Sequence, residues 1–181
     1  NRNQLLWRNH IVDGIKTGHT DNAGYCLVAS GKVADMRLIA VVMGAKSDKS
    51  RTEEANKLLT WGFRFYESNL VRQANVKLQD VKVWMGKDKK LDIGFAEDLY
   101  ITAPQGEYKK YTAMINLLPM IKAPIQQGDV VGTYVVQDQH NETILQQPIV
   151  ALKTIPKGNI LQRGRDFITL NIKSAISRFR T

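Results

Sequence analysis

The chain has 181 residues, of which 43% are hydrophobic, and this is enough to bury a core in one medium domain or in two small ones. It contains no run of about 18 uncharged apolar residues, which excludes a membrane-spanning helix. Its single cysteine excludes an internal disulfide, and with only three histidines the chain gives no indication of a zinc site or of any other cofactor. The first residue is Asn1, without a methionine or a signal region, so we expect a fragment or a processed chain.

The net charge of +9 is concentrated at one end of the chain. Residues 157–181 carry six basic residues and one acidic residue, a surplus of +5, whereas residues 1–68 carry +3 and residues 69–156 only +1. A nucleic-acid-binding protein usually spreads its cations over a folded face with aromatic residues between them. The distribution therefore indicates an anionic surface that the tail contacts, and no nucleic-acid partner is expected.

Three strands and a helix are predicted in the first third of the chain. Residues 24–30 and 37–44 are rich in β-formers and flank a polar segment, which predicts a hairpin. Residues 12–20 are strand-like but contain two glycines and a lysine, as is typical of an edge strand that brings its backbone close to a ligand. A helix follows from about residue 49 to 67, where Ser50 and Glu53 predict a capping box. Strands covered by one helix make an α+β layer.

The rest of the chain predicts a small all-β domain and a final helix. From residue 76 to 155, short β-rich segments alternate with turn signals, which indicates a sandwich or a barrel; its boundary with the first domain is predicted at residues 68–75. The sequence after Pro156 predicts a helix from about residue 159 to 181. Cations surround its apolar stripe, so the helix is basic and amphipathic; the stripe consists of Leu161, Ile168, Ile172, Ala175, Ile176 and Phe179.

The triplet Lys16-Thr17-Gly18 on the predicted edge strand is the motif that carries chemistry. Lys16 supplies a positive charge that can attract a substrate carboxylate, and Thr17 can donate a hydrogen bond from a short, stiff side chain. Gly18 leaves room for a peptide that adds to the strand edge. By itself the triplet is weak evidence, because three ordinary residues recur by chance, and the alternative is an exposed turn with a solvated lysine.

Beyond the triplet, the informative segments include residues 1–3 (Asn-Arg-Asn), 13–21, 27–30, 36–38, 42–44, 58–64, 130–132 and 155–156. Together with the triplet they resemble the low-molecular-mass D-alanyl-D-alanine carboxypeptidases, penicillin-binding proteins of the serine peptidase type. The likeness covers essentially the whole chain. It implies that residues 1–68 are the C-terminal portion of a β-lactamase/transpeptidase-like catalytic domain, residues 69–156 an all-β accessory domain and residues 157–181 a membrane-anchor helix.

The resemblance implies a serine acyl-transfer reaction on peptidoglycan stem pentapeptides that end in D-Ala-D-Ala. A serine attacks the penultimate D-alanine carbonyl, the last D-alanine leaves, and water releases the acyl-enzyme; β-lactams acylate the same serine. A strand N–H and the N–H of the nucleophile would hold the oxyanion. The Ser-x-x-Lys and Ser-x-Asn motifs of the family do not occur in residues 1–181. We therefore expect the nucleophile and the general base in a missing N-terminal half, and this chain to be inactive alone.

The resemblance also implies roles for individual residues. Lys16 would be a catalytic electrostatic group, and the substrate would be bound by Thr17, Gly18, His19, Arg51 and Arg2. His19 could equally be a surface residue, and each arginine could be a solvated cation.

At the periplasmic face of the bacterial inner membrane, the final helix would lie in the anionic surface and insert Phe167, Ile168, Ile172, Ile176 and Phe179. The alternative for this helix is that its apolar stripe packs on the β domain.

Two other functions fit the same residues. The chain could be a non-catalytic wall-binding or scaffold module whose β domain is the interaction surface, or it could belong to a β-lactamase, which shares the Lys-Thr-Gly strand. Upstream Ser-x-x-Lys and Ser-x-Asn motifs would favour an enzyme over a module. The β domain and the basic tail argue against a β-lactamase.

Overall fold

The structure is a computed structural model that describes the backbone of residues 1–178 and the side chains of residues 1–170. The chain divides into two compact units. The first consists of Asn1–Asn69 and Thr102–Lys109, and the second of Leu70–Ile101 and Lys110–Thr181. The division into a catalytic portion, an accessory domain and an anchor stays a prediction.

The first unit contains the predicted antiparallel strands and helix. Its elements are α1 (Leu5–Arg8), β1 (Val12–Thr20), β2 (Gly24–Val33), β3 (Met36–Ala45) and α2 (Asp48–Phe65). The sheet has the order β1-β2-β3, and β1 is an edge strand within the described part of the chain. One face of α2 packs on β2 and β3, because Ala55 and Leu59 lie at helical spacing and are buried against Leu27, Ala29 and Ala40. The predicted α+β class is confirmed.

The start of α2 differs from the prediction. The capping box of Ser50 and Glu53 is wrong, because the N-cap residue is Ser47, which has an extended backbone and accepts a hydrogen bond from the Ser50 N–H at 3.1 Å. An earlier serine thus satisfies one of the free N–H groups of the first turn, and Ser50 lies inside the helix. Glu53 instead approaches Lys49, with 3.8 Å between Oε1 and Nζ.

The second unit is built on a five-stranded antiparallel sheet. This sheet has the order β5-β6-β10-β9-β8, and β4 pairs with β7 in a separate two-stranded sheet. The segments with strand-like composition form strands as predicted, but β4 and β6 were not predicted from the sequence. The strands from residue 66 onward are β4 (Tyr66–Arg72), β5 (Gln79–Lys82), β6 (Lys90–Gly94), β7 (Leu99–Pro104), β8 (Thr112–Leu117), β9 (Val130–Gln137) and β10 (Thr143–Ala151), with a 3₁₀ turn at Glu107–Lys110. Of these elements, β4, β7 and the 3₁₀ turn belong partly to the first unit.

The final helix, α3 (Ile160–Arg178), begins with a reciprocal cap. Asn159 Oδ1 accepts from the Gln162 N–H at 2.8 Å, and Gln162 Oε1 accepts from the Asn159 N–H at 3.0 Å. The apolar residues Phe167 and Ile168 are 60% and 62% exposed. The side chains of the predicted anchor residues Ile172 and Ile176, and all of Phe179, lie outside the described residues. Among the described helices, none is long and apolar enough to cross a membrane.

Candidate active site

One cavity in the first unit brings together all six residues that the sequence analysis assigned to catalysis and substrate binding. It has a volume of about 560 Å³. Its lining includes three residues that the sequence analysis missed, Asn1, Tyr25 and Asp48, in addition to Arg2, Lys16, Thr17, Gly18, His19 and Arg51. These residues come from the N-terminal segment, from β1 and β2, and from the start of α2.

Strand β1 supplies the Lys-Thr-Gly wall of the cavity. The Lys16 side chain is exposed, and its Nζ donates to the Thr17 carbonyl at 3.0 Å. A Cβ atom added at Gly18 would meet no neighbour closer than the Cys26 Cβ, at 3.9 Å. The packing of the unit therefore does not require a glycine here, and the open space lies along the strand.

Arg51 is a buried cation that ties α2 to the wall of the cavity. It is 4% exposed, and its Nη1 donates to the carbonyls of Gly18 at 2.9 Å and Cys26 at 3.2 Å. Its Nη2 forms an ion pair with Asp48, one turn earlier on α2. A solvated cation at a helix start is therefore the wrong description of Arg51. Within the described structure its Nε–H has no acceptor.

Tyr25 lies between two of the predicted substrate-binding residues. Its ring centroid is 4.1 Å from that of His19 and 5.3 Å from the Arg51 guanidinium carbon. The register of β1 and β2 explains the first contact, because Tyr25 is the cross-strand partner of His19. Without that register the sequence carries no signal for Tyr25, since an aromatic residue in a strand is ordinarily part of the core.

Two asparagines hold the N-terminal segment against β1. Asn3 is fully buried and donates from its amide to the Gly14 carbonyl at 3.0 Å, while Asn1 donates to the Ile15 carbonyl at 2.7 Å. This anchoring brings Arg2, which lies between them, to the cavity. Arg2 itself is exposed, and so is His19.

A second polar contact fixes the beginning of β1. Arg37 on β3 donates to both carboxylate oxygens of Asp13 at 2.8 Å, and it also bonds the hydroxyl of Ser30. The hydrogen bonds from Arg37 and Ser30 lower the pKa of Asp13 to about 2. Asp13 therefore stays ionised at neutral pH and connects β1 to β3 across β2.

The cavity favours an anionic ligand. Lys16, Arg2 and Arg51 contribute three positive charges, and Asp48 is the single carboxylate in the lining. Such a site suits the terminal carboxylate of a peptide. No group of three or more His, Cys, Asp or Glu side chains placed to hold a metal ion occurs among the described residues.

Comparisons with known proteins agree with this architecture. Residues 1–47 match the family model described as D-alanyl-D-alanine carboxypeptidase, and residues 66–157 match the model described as penicillin-binding protein 5, C-terminal domain. The D-alanyl-D-alanine carboxypeptidase DacA of Escherichia coli is 45% identical over 172 residues, which are 94% of this chain and 42% of the relative. DacF of Bacillus subtilis is 35% identical over 89% of this chain and 41% of its own.

Among solved structures, penicillin binding protein 5 from Haemophilus influenzae matches with a TM-score of 0.78 at 36% identity, over 87% of this chain and 46% of that one. The chain thus spans less than half the length of the relatives it matches. The two family models, the identities and the structural match together assign it a family. The chain belongs to the D-alanyl-D-alanine carboxypeptidases of the low-molecular-mass penicillin-binding proteins.

Proposed function

We propose that this chain supplies one wall of the active site of a serine-type D-Ala-D-Ala carboxypeptidase. The enzyme removes the terminal D-alanine from peptidoglycan stem pentapeptides through an acyl-enzyme, and β-lactams acylate the same serine. The observation that carries the proposal is the single cavity that gathers the Lys-Thr-Gly wall with Arg2, His19 and Arg51. These residues are up to 49 positions apart in the sequence, and their convergence supports a common role.

Each part of the wall has a role in binding the peptide. The substrate lies along the free edge of β1, where Gly18 leaves room for its backbone. Thr17 donates a hydrogen bond to the terminal carboxylate, and Lys16 stabilises negative charge as the tetrahedral intermediate forms. Arg51 adds positive charge and, through the Gly18 carbonyl, holds this end of the strand in place.

The nucleophile of the reaction belongs to a segment outside these 181 residues. Neither Ser-x-x-Lys nor Ser-x-Asn occurs in the sequence, so the chain alone has no activated serine. Intact-mass analysis after incubation with benzylpenicillin should therefore show no covalent adduct. An adduct on any serine of this chain contradicts the proposed chemistry.

The role of Lys16 is tested in an enzyme completed with a segment that carries Ser-x-x-Lys and Ser-x-Asn. Lys16→Ala should slow penicillin acylation by about 100-fold or more, because a preorganised charge at the reacting carbonyl is lost. Lys32→Ala is the matched control, since Lys32 is an exposed lysine of the same sheet that does not line the cavity. Unchanged acylation in Lys16→Ala removes Lys16 from the mechanism.

The lifetime of the acyl-enzyme distinguishes the proposed enzyme from a β-lactamase. A long-lived acyl-enzyme favours a carboxypeptidase, and rapid release of hydrolysed penicillin favours a β-lactamase.

We also propose that α3 attaches the enzyme to the periplasmic face of the inner membrane. Exposure of Phe167 and Ile168 supports insertion into a bilayer surface rather than packing on the β domain. Deletion of α3 is a poor test, because it also removes Asp166, whose buried carboxylate accepts a hydrogen bond from the Met85 N–H within the same unit. The double change Phe167→Ser and Ile168→Ser avoids this and should weaken co-sedimentation with anionic vesicles. Unchanged co-sedimentation means that α3 is no anchor.

A further inference from the structure

Cations cluster around the start of α3, at one end of the second unit. Isolated β-bridges join Trp84 to Lys122 and Gly86 to Lys157, and the Gly158 N–H donates to the Met85 carbonyl at 2.8 Å. Three segments that are distant in sequence therefore meet where the helix begins. We call this surface the basic end; its cations are Lys82, Lys87, Lys89, Lys122, Lys157, Arg163 and Arg165.

Apart from Lys89, which pairs with Asp166, the cations of the basic end differ in their partners from three other lysines of the same unit. Lys77 before β5, Lys90 on β6 and Lys153 after β10 pair with Asp80 or Asp92 at 2.7 to 3.8 Å. In the described part of the chain, by contrast, Lys87 and Lys122 are exposed and have no carboxylate within ion-pair distance. Lys157 and Arg163 are also exposed and have no carboxylate within ion-pair distance among the described residues. This uncompensated charge is complementary to an anionic surface.

Apolar surface lies directly beside these cations. A cavity of about 330 Å³ is lined by Met85, Arg163 and Phe167 together with the first turn of α3. Ile160 and Leu161, at the start of the helix, are each 84% exposed. Lys82 Nζ lies 3.7 Å from the centre of the Trp84 ring. Cations, a tryptophan and exposed aliphatic side chains together are the composition of a membrane interface.

Asp166 fixes the orientation of α3 relative to the basic end. Its buried carboxylate accepts hydrogen bonds from the Met85 N–H at 2.7 Å and from Lys89 Nζ at 2.6 Å. This side of the helix therefore faces the domain, and the side with Phe167 and Ile168 faces outward. A bilayer that receives the outward side of α3 is brought close to the cations around the start of the helix.

We propose that the basic end is a second membrane-contact surface, which binds the headgroups of an anionic bilayer beside α3. This inference rests on the proposed attachment through α3 and extends it to residues of the β domain. Attraction between a cation and a charged membrane decays within about one Debye length, roughly 8 to 10 Å. The cations of the basic end can contribute to membrane affinity only if this end of the domain lies against the bilayer. A measured contribution from them therefore shows which end of the domain faces the membrane.

Charge reversal tests the proposal in the full chain. The triple variant Lys87→Glu, Lys122→Glu and Lys157→Glu should bind vesicles rich in phosphatidylglycerol at least about 10-fold more weakly than a control with the same net charge. In the control, glutamate replaces three exposed lysines of the first unit, Lys32, Lys46 and Lys49. Co-sedimentation at several salt concentrations gives the affinities, and thermal unfolding verifies that both variants fold. A difference of less than 10-fold between the two variants overturns the proposal.

A second readout separates this proposal from the anchor itself. In the variant Trp7→Phe and Trp61→Phe, Trp84 is the sole tryptophan, and its fluorescence should be quenched by vesicles of brominated anionic lipid. Vesicles of phosphatidylcholine are the control and should quench it much less. If the variant with serine at positions 167 and 168 binds anionic vesicles as well as the parent chain while Trp84 is quenched, the proposed anchoring through α3 is wrong. The proposed contact between the basic end and the membrane is then supported. If Trp84 is not quenched while the parent chain binds the vesicles, the proposed membrane contact of the basic end is wrong and the proposed anchoring through α3 is supported.

An anionic wall polymer is the competing ligand of the basic end. If charge reversal weakens only the binding of such a polymer and not the binding of vesicles, the proposal is overturned.

Discussion

Arg51→Ala should destabilise the first unit, because the guanidinium is the buried connection between α2 and the Lys-Thr-Gly strand. The change removes the hydrogen bonds to the carbonyls of Gly18 and Cys26 and the ion pair with Asp48. A hydrogen bond from a charged donor contributes about 1.5 to 3 kcal/mol to stability, but the Gly18 carbonyl lies at the cavity and can bond to water once the arginine is gone. We therefore expect a loss of about 3 kcal/mol in the free energy of unfolding.

The assay requires a signal that belongs to the first unit alone. In a Trp84→Phe background the remaining tryptophans, Trp7 and Trp61, both lie in that unit, so their fluorescence during urea unfolding reports on it. Arg51→Lys keeps the charge but not the planar set of donors, and it should recover only part of the loss.

Lys57→Ala is the matched control, because Lys57 is also an α2 cation with an acidic partner, Glu54, three residues away, but both side chains are exposed. It should leave the unfolding midpoint unchanged. If Arg51→Ala costs no more than Lys57→Ala, Arg51 is a solvated cation, and the connection described between α2 and the strand is wrong.

Three further predictions concern single contacts. Ser47→Ala should lower the free energy of unfolding of the first unit by about 1 kcal/mol through loss of the cap, whereas Ser50→Ala should change it little. Gly94→Ala should destabilise the second unit by about 1 to 3 kcal/mol in thermal unfolding, because the new Cβ would lie 2.5 Å from the Val76 carbonyl oxygen. Burial raises the pKa of Asp166, but hydrogen bonds from a lysine and a backbone N–H outweigh this and leave it below its usual value. Its stabilisation is therefore full above about pH 5 and is lost as the pH falls below about 3.9 towards the folded-state pKa, and Asp166→Asn should abolish this part of the acid dependence.

The sequence alone was sufficient for the elements whose signals are local. Two segments rich in β-formers on either side of a polar segment predicted the hairpin of β2 and β3, and two glycines beside Lys16 predicted that β1 is an edge strand. The helical spacing of apolar residues predicted α2, with bounds within a few residues of those observed. These predictions succeeded because local composition indicates the type of element, and the period of the apolar residues in α2 indicates which of its faces is buried. The Ser50 cap failed because Ser47, three residues earlier, is also a residue type that caps helices, and only the backbone conformation decides between the two serines.

Tertiary structure decided how distant segments meet. Arg2, Lys16 and Arg51 line one cavity because the register of β1 and β2 sets Gly18 opposite Cys26, and α2 brings a buried arginine to both carbonyls. The pairing of β4 with β7 accompanies the return of residues 102–109 to the first unit. In the sequence, Asp166 is an acidic residue within a basic helix, with no indication of a partner. The fold brings it beside Lys89, which is 77 positions away. Such contacts depend on which buried polar groups find partners across the fold, and no local period in the sequence encodes that choice.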